Sequence, residues 1–382
     1  MTIDRRFFLA AMGALGLSAC APAAPRAPAS AVSRAALPPD LLPQANAGFD
    51  RWRAAFRARA LAGGIPARVL DPALAEAGYL PGVVTRDGNQ IQTRRSFEDY
   101  LSITVSDERL AKGRAALAAQ GPTLRAIEAR YGVPARITAA IWGIESLYGE
   151  KRGQIPVISA TATLAYSGRR ARFYENQLMA ALRLLARGET SRANLRGSWA
   201  GAMGHTQFIP TSYEAFAVDF DGDGRRDIWG ADPGDALAST AAYLARNGWQ
   251  SGLSWGAEDG YGSASGRSLT PQPGGPRFTV TRNFDVLKTY NNSDYYALAV
   301  GLLSDQLVGG APLRGSFPPD ANGMTKADRI ALQRRLAARG YDIGTVDGVI
   351  GSKTEAALRD LQSRARLPVT GQPGPETCAL LR

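Results

Sequence analysis

Cysteine and histidine are nearly absent from this chain of 382 residues: it has two Cys, at 20 and 378, and one His, His205. If Cys20 is used at the N-terminus, Cys378 is left alone. One thiol makes no internal disulfide, so the fold must hold without one. Long apolar runs are also missing. The longest near the start, Phe7 to Ala19, is too short to span a bilayer as a permanent helix. Acidic residues are outnumbered, 34 Asp and Glu against 45 Lys and Arg, for a formal net charge of +11. That excess points to an anionic partner such as nucleic acid, anionic lipid or an acidic polymer. No basic helix or aromatic platform of the kind nucleic acid requires is present, so nucleic acid is set aside. What the chain does have is 45% hydrophobic residues, 42 Gly and 23 Pro. These imply a sizeable core with many loops, and the length suits one large domain plus a small one.

The N-terminus narrows the partner. Asp4-Arg5-Arg6-Phe7-Phe8-Leu9 is a charged start followed by a short apolar run, the pattern of a cleaved export signal. Leu17-Ser18-Ala19-Cys20 resembles a bacterial lipobox, which implies lipidation of Cys20 and a bilayer anchor. Arg5 and Arg6 before Phe8-Leu9 resemble a twin-arginine signal. Ala21 stands where Asp would signal retention in the inner membrane, so the resemblance favours the periplasmic face of the outer membrane. Residues 1–20 are thus expected to be a lipoprotein-type signal peptide. Residues 21–44, rich in Ala, Pro, Ser and Arg, are expected to be a flexible tether.

Helical patterns dominate the rest of the chain. Ala45 to Ala62 places Phe49, Trp52, Phe56 and Ala60 on one side, and Gly63-Gly64-Ile65-Pro66 ends it. A short helix is predicted over Ile65 to Glu76, and Thr85 to Tyr100 reads as extended or looped. Ser106 is a helix cap for a pattern reaching Ala119, which Gly121-Pro122 breaks before another helix to Tyr131. Further helices are predicted over Ile158 to Tyr166, Arg169 to Arg187, Ala236 to Arg246 and Tyr295 to Leu307. Phe278 to Leu287 has strand character, and Trp249 to Gly275 is loop-rich.

One stretch places a carboxylate among apolar neighbours. After Val133-Pro134, residues Ile137, Ala140, Ile141, Ile144 and Tyr148 form a helical stripe, and Glu145 lies one position off it. Desolvation there would raise its pKa, which suits a general acid. Against this stands a plain surface Glu at the stripe edge. Glu150, past Gly149, reads as solvent-facing. A second stretch, Ser198 to Tyr213, is rich in small residues that permit close backbone approach. It offers Ser198, Gln207 and Tyr213 as hydrogen-bonding groups, or else is a packed turn before a helix starting at Pro210.

Together these motifs resemble the lytic murein transglycosylase B family. The carrying residues are Trp142-Gly143-Ile144-Glu145-Ser146-Leu147-Tyr148-Gly149, Gly201-Ala202-Met203-Gly204, Gln207-Phe208-Ile209-Pro210 and Tyr213. Asp219 to Trp229, Asp235 to Ser239, Tyr290-Asn291, Ser293 and Tyr296-Ala297 add support, over about residues 45 to 310. The resemblance implies a mainly α fold (α+β, lysozyme-like catalytic domain). It also implies cleavage of the β-1,4 bond between N-acetylmuramic acid and N-acetylglucosamine, giving a 1,6-anhydro end, with Glu145 as single acid and base. It implies that Tyr100, Ser198, Gln207, Tyr243, Asn291 and Tyr296 line a glycan cleft, with Ser198 and Asn291 holding acetamido groups or Glu145 itself. His205 departs from the family pattern and is read as a neutral side chain without a proton-transfer role. Two rivals remain: a hydrolytic muramidase pairing Glu145 with an Asp of the acidic loop at 219–227, and a wall-binding protein without activity.

That loop, beginning Asp219-Phe220-Asp221-Gly222-Asp223-Gly224-Arg225, fits the first half of an EF-hand. Asp219, Asp221, Asp223 and the Arg225 carbonyl would hold a structural Ca2+. Gly230 stands where the bidentate Glu belongs; Asp235 would either fill that place or cap the next helix. At the C-terminus, Leu332-Gln333, Val346-Asp347-Gly348, Gly351, Thr354, Leu361-Gln362 and Leu367 to Gly371 resemble a small three-helix peptidoglycan-binding domain. The expected organisation is a catalytic domain over 45–311, a linker over 312–324 and the binding domain over 325–382, in a monomer whose partner is peptidoglycan glycan strands.

Overall fold

The computed structural model describes residues 37–89, 96–262 and 264–381. The signal, most of the tether and Cys20 lie outside the described residues. The large body is built mostly of helices: α1 (Ala47–Ala62), α2 (Ala67–Ala75), α3 (Pro81–Asn89), α4 (Phe97–Thr104), α5 (Asp107–Ala119), α6 (Gly121–Tyr131) and α7 (Ala135–Ser146). Then come β1 (Ile155–Pro156), α8 (Val157–Ser167), α9 (Ala171–Ala186), β2 (Arg196–Gly197), α10 (Pro210–Phe216) and α11 (Gly234–Arg246). The body closes with β3 (Gly256–Glu258), β4 (Arg267–Leu269), β5 (Phe278–Val280), α12 (Arg282–Tyr290) and α13 (Asp294–Leu307). The C-terminal module is α14 (Lys326–Ala338), α15 (Ser352–Arg364) and α16 (Pro375–Ala379). The mainly helical expectation holds, and among the described residues the strands form only two small antiparallel sheets, β1-β2 and β3-β5-β4.

α7 is the central element. It packs against α5, α6, α11 and α13, and Ile137, Thr138, Ala139, Ala140, Ile141 and Trp142 are all buried. A helix apolar on every side forms only when neighbours cover every side. A second apolar cluster joins α1 and α2 to α8 and α9, with Phe49, Phe56, Leu70, Leu178 and Leu182 inside it. Trp52 stacks on Phe56 with ring centroids 5.3 Å apart.

Three sequence expectations need correction. Thr85 to Tyr100 is not a loop throughout: α3 continues to Asn89, and Ser96 caps α4 by accepting from the Asp99 amide at 3.1 Å. Buried Val83 and Phe97 anchor these helices, which outweighs the polar composition between them. Phe278 to Leu287 is a strand only as far as Val280. Thr281 there accepts from the Asn283 amide at 3.2 Å and starts α12. The loop-rich stretch after Trp249 contributes β3 and β4, which flank β5.

The segment joining the body to the C-terminal module is not free chain. Glu258 accepts from the amides of Arg314 and Gly315, and Phe317 packs on Phe97 with centroids 6.0 Å apart. Within the module two buried glutamines repeat one device. Gln333 accepts from the Gly348 amide at 2.7 Å and Gln362 from the Gly371 amide at 2.9 Å. Each amide group also donates to a threonine, Thr354 and Thr377 respectively. The Gln of one helix thus closes the turn before the next, and a fully satisfied buried amide fixes that turn in one geometry.

Candidate active site

The end of α7 determines where Glu145 points. Leu147, Tyr148 and Gly149 follow with φ of 51°, 57° and 90°, three successive left-handed residues, of which two are strained. Packing holds them there. The Tyr148 ring fills the space above Gly143, where an added Cβ would come within 2.5 Å of it. Gly149 lies against His205, and a Cβ there would stand 2.6 Å from His205 Nδ1. Ser146 Oγ donates to the His205 carbonyl and accepts from the Gly149 amide at 2.9 Å. The helix is therefore stopped one residue after the carboxylate.

Glu145 is half-buried. Its Oε1 accepts a hydrogen bond from the Tyr296 hydroxyl at 2.7 Å. Desolvation pushes its pKa up to about 7, against the opposing pull of the Tyr296 bond. Tyr296 is fully buried on α13 and stacks on Tyr290, with centroids 6.3 Å apart and planes 6° apart. Tyr100, on α4, is pushed up to about 12 by desolvation and then by the Glu145 charge. Among the described residues, no second carboxylate contributes to the shift of Glu145.

The other expected site residues divide. Tyr243 reaches this cluster through Tyr290, centroids 5.1 Å apart, while its hydroxyl donates to the Thr289 carbonyl at 2.6 Å. Ser198 Oγ accepts from the Ala202 amide at 3.1 Å. Gln207, itself left-handed with φ 55°, donates to the carbonyls of Arg152 and Gly204 at 3.0 and 2.9 Å. Both brace the small-residue loop. Asn291 is exposed just beyond α12. The hydrogen bond to Glu145 therefore comes from Tyr296, not from Ser198 or Asn291. Tyr213 is fully buried, its hydroxyl donating to the Arg226 carbonyl at 2.8 Å. Glu150 is exposed and pairs with Lys112 at 2.6 Å.

Two residues outside the expected set matter. Tyr290 places a second ring beside Tyr296, and Arg109 donates from Nε to the Gly143 carbonyl at 2.9 Å, tying α5 to α7 two residues before Glu145. Arg109 lies three residues after a helix cap, where nothing in the pattern separates it from a surface arginine. His205 is neutral and packed. Trp142 Nε1–H donates to its Nδ1 at 3.2 Å, so Nε2 carries the proton and donates to the Gly230 carbonyl at 2.9 Å. Burial lowers its pKa.

The acidic loop gathers Asp219, Asp221 and Asp223, whose carboxylate oxygens lie within 4.8 Å of one another. Asp219 accepts from the amides of Gly222 and Gly224 at 2.7 and 2.9 Å, which curls the loop. Asp235 lies outside this cluster of three. Buried at 6% exposure, it accepts from the amides of Phe220 and Asp227 at 2.7 and 2.8 Å and braces the loop from within. Three hard oxygen donors at this separation suit a cation of the Ca2+ type.

Because the Tyr296 bond favours ionised Glu145, Tyr296→Phe raises the Glu145 pKa further. An NMR titration of the Glu145 carboxyl then shows its midpoint above that of wild type. A lower midpoint would mean that Tyr296 does not stabilise the carboxylate.

Residues 48–261 and 259–305 match the family model described as a transglycosylase SLT domain, and residues 325–381 match a putative peptidoglycan binding domain. The membrane-bound lytic murein transglycosylase B of Escherichia coli K12 is 34% identical over 212 residues, covering 47% of this chain and 58% of that protein. The chain thus spans under two thirds of that relative's length. Among solved structures, SltB3 from Pseudomonas aeruginosa, in complex with NAG-NAM-pentapeptide, is 43% identical with a TM-score of 0.69, covering 88% of this chain and all of that one. Escherichia coli Slt35 in complex with calcium is 26% identical with a TM-score of 0.58, covering 69% of this chain and 93% of that one. With the family match running through α7, the small-residue loop and α13 alike, the chain belongs to the transglycosylase SLT family.

Proposed function

We propose that the protein is a peptidoglycan lytic transglycosylase with Glu145 as its single acid and base. The observation that carries this is one carboxyl, held near neutrality by desolvation and hydrogen-bonded by Tyr296, with no second carboxylate acting on it among the described residues. In the reaction Glu145 gives its proton to the glycosidic oxygen as the bond from muramic acid C1 breaks. The C6 hydroxyl then attacks C1, and its proton returns to Glu145. Atoms balance without water, and the product is a 1,6-anhydro end. A hydrolase of the usual kind needs two carboxylates about 5–9.5 Å apart; the other carboxylate near the end of α7, Glu150, is exposed and paired with Lys112. Tyr100, Ser198, Gln207, Tyr243, Asn291 and Tyr296 would line the glycan cleft, and residues 45–311 would form the catalytic domain. Residues 325–382 would bind the same wall. The similarity to a membrane-bound relative supports attachment to a membrane. By the lipobox resemblance the anchor would be Cys20, in an outer-membrane lipoprotein that faces the periplasm and acts as a monomer.

The loop of Asp219, Asp221 and Asp223 would hold Ca2+, with the Arg225 carbonyl as a further donor. The ion would neutralise three crowded carboxylates and fix the loop. It has no place in the proton transfers.

Mass spectrometry of products from purified sacculi tests the central reading. Wild type releases anhydro-muropeptides and Glu145→Gln releases none. Reducing-end products would establish hydrolysis, and sacculus binding without products from either protein would establish a non-enzymatic role. For the loop, Ca2+ at a hundredfold over Kd adds about 2.7 kcal/mol, which raises Tm by some degrees over the protein in chelator. The gain disappears in Asp221→Asn. An unchanged Tm in wild type would show that no ion is held.

A further inference from the structure

Arg329, on α14 of the C-terminal module, is only 4% exposed. An arginine cannot shed its charge at any accessible pH, so its burial requires partners for its fork of donors. Those partners come from three parts of the chain. Nε donates to the Gly348 carbonyl at 2.6 Å, inside the module. Nη1 donates to Asp320 Oδ2 and the Met324 carbonyl, each at 3.1 Å, in the joining segment. Nη2 donates to Glu98 Oε2 at 2.6 Å and Asp99 Oδ1 at 3.3 Å, on the first turn of α4. The residue after Asp99 is Tyr100, whose ring lies 5.9 Å from that of Tyr295, the residue before the Tyr296 that bonds Glu145, and whose hydroxyl is pushed up in part by the Glu145 charge. The same turn is tied by Gln272, which accepts from the Glu98 amide at 3.3 Å, and by Phe97 against Phe317 of the joining segment. A cavity of about 420 Å³ lies between module and body, with Ser102, Arg109 and Leu147 on one side and Lys326, Ile330 and Val346 on the other. Leu147, on the body side of this cavity, is two residues from Glu145 along the chain.

We propose that Arg329 is a positioning residue for the reaction: it fixes the first turn of α4, and through that turn sets Tyr100 against Glu145. The inference rests on the transglycosylase reading of Glu145. It makes the C-terminal module part of the active-site frame. A module on a loose tether would act otherwise, since it raises local concentration on an insoluble wall and leaves a short soluble substrate unaffected.

That difference supplies the test. Full-length wild type, Arg329→Ala, Glu98→Ala and the double variant are compared on a short soluble glycan of alternating N-acetylglucosamine and N-acetylmuramic acid, and on sacculi. All are scored by anhydro product, with thermal melting alongside. Displacement of the site by a fraction of an ångström to an ångström costs up to about a hundredfold, so kcat on the soluble glycan falls roughly 10–100-fold in Arg329→Ala. Glu98→Ala lowers kcat in the same direction. The double variant is no worse than Arg329→Ala, because the two residues act through one contact. Loosening α4 lets water reach Glu145 and lowers its pKa, so the basic limb of the rate profile moves to lower pH, which a simple loss of folded protein would not produce. Unchanged kcat and pH profile on the soluble glycan, with loss confined to sacculi, would overturn the proposal in favour of a tethered module. Full activity of Glu98→Ala beside an unfolded Arg329→Ala would overturn it too, leaving Arg329 as a folding residue only. Absence of anhydro product from wild type would instead strike the transglycosylase reading itself.

Discussion

Keeping a carboxyl out of water is the constraint on which the rest of this structure depends. A rise in the Glu145 pKa from 4.5 to about 7 corresponds to about 3 kcal/mol at about 1.4 kcal/mol per unit. The direction of the shift sets the sign. The fold has its full share of this stability below pH 4.5, where Glu145 is protonated in both states, and loses it as pH rises through about 7. The surrounding core must offset that cost under neutral conditions. It does so by surrounding α7 with apolar surface from α5, α6, α11 and α13, leaving Tyr296 as the hydroxyl that meets the carboxylate.

The second constraint is geometric. α7 ends one residue after its carboxylate, and the left-handed run Leu147, Tyr148, Gly149 ends it. Strain of this kind persists only where packing over-determines it. Here Gly143 makes room for Tyr148, Gly149 makes room for His205, and Ser146 links the turn to the His205 carbonyl. His205 then ties Trp142 to the Gly230 carbonyl. The small-residue loop thus serves α7 as a buttress, with Ser198 and Gln207 bonding the backbone of the loop and of Arg152.

Much of this was legible in the chain. The apolar stripe of Ile137, Ala140 and Ile141 marks a buried helix and Pro134 marks its start, while Glu145 beside that stripe reads equally as a desolvated carboxyl or a surface Glu until the packing around it is seen. Ser106, Gly121 and Pro210 punctuate helices where the structure has them. What was not legible depended on long-range packing. Nothing local distinguishes Arg109, which crosses to the Gly143 carbonyl, or Arg329, which crosses to Glu98, from surface arginines. Asp235 looks like a ligand or a cap by position, and its two loop-amide partners could not be read from position alone. The segment 312–324 reads as a linker by its Pro and Gly, while Glu258 and Phe97 pin it to the body.

In the proposed reaction, the ionisation of Glu145 is the point at which chemistry and fold meet. The measurement is kcat against pH for the wild-type protein on a soluble glycan. A general acid held up to about 7 must be protonated to act, so the rate is expected to fall with a midpoint near that value. A rate that already falls near pH 4.5, the ordinary range of a glutamic acid, would contradict this, because Glu145 would then be a solvated carboxylate with no buried proton to give.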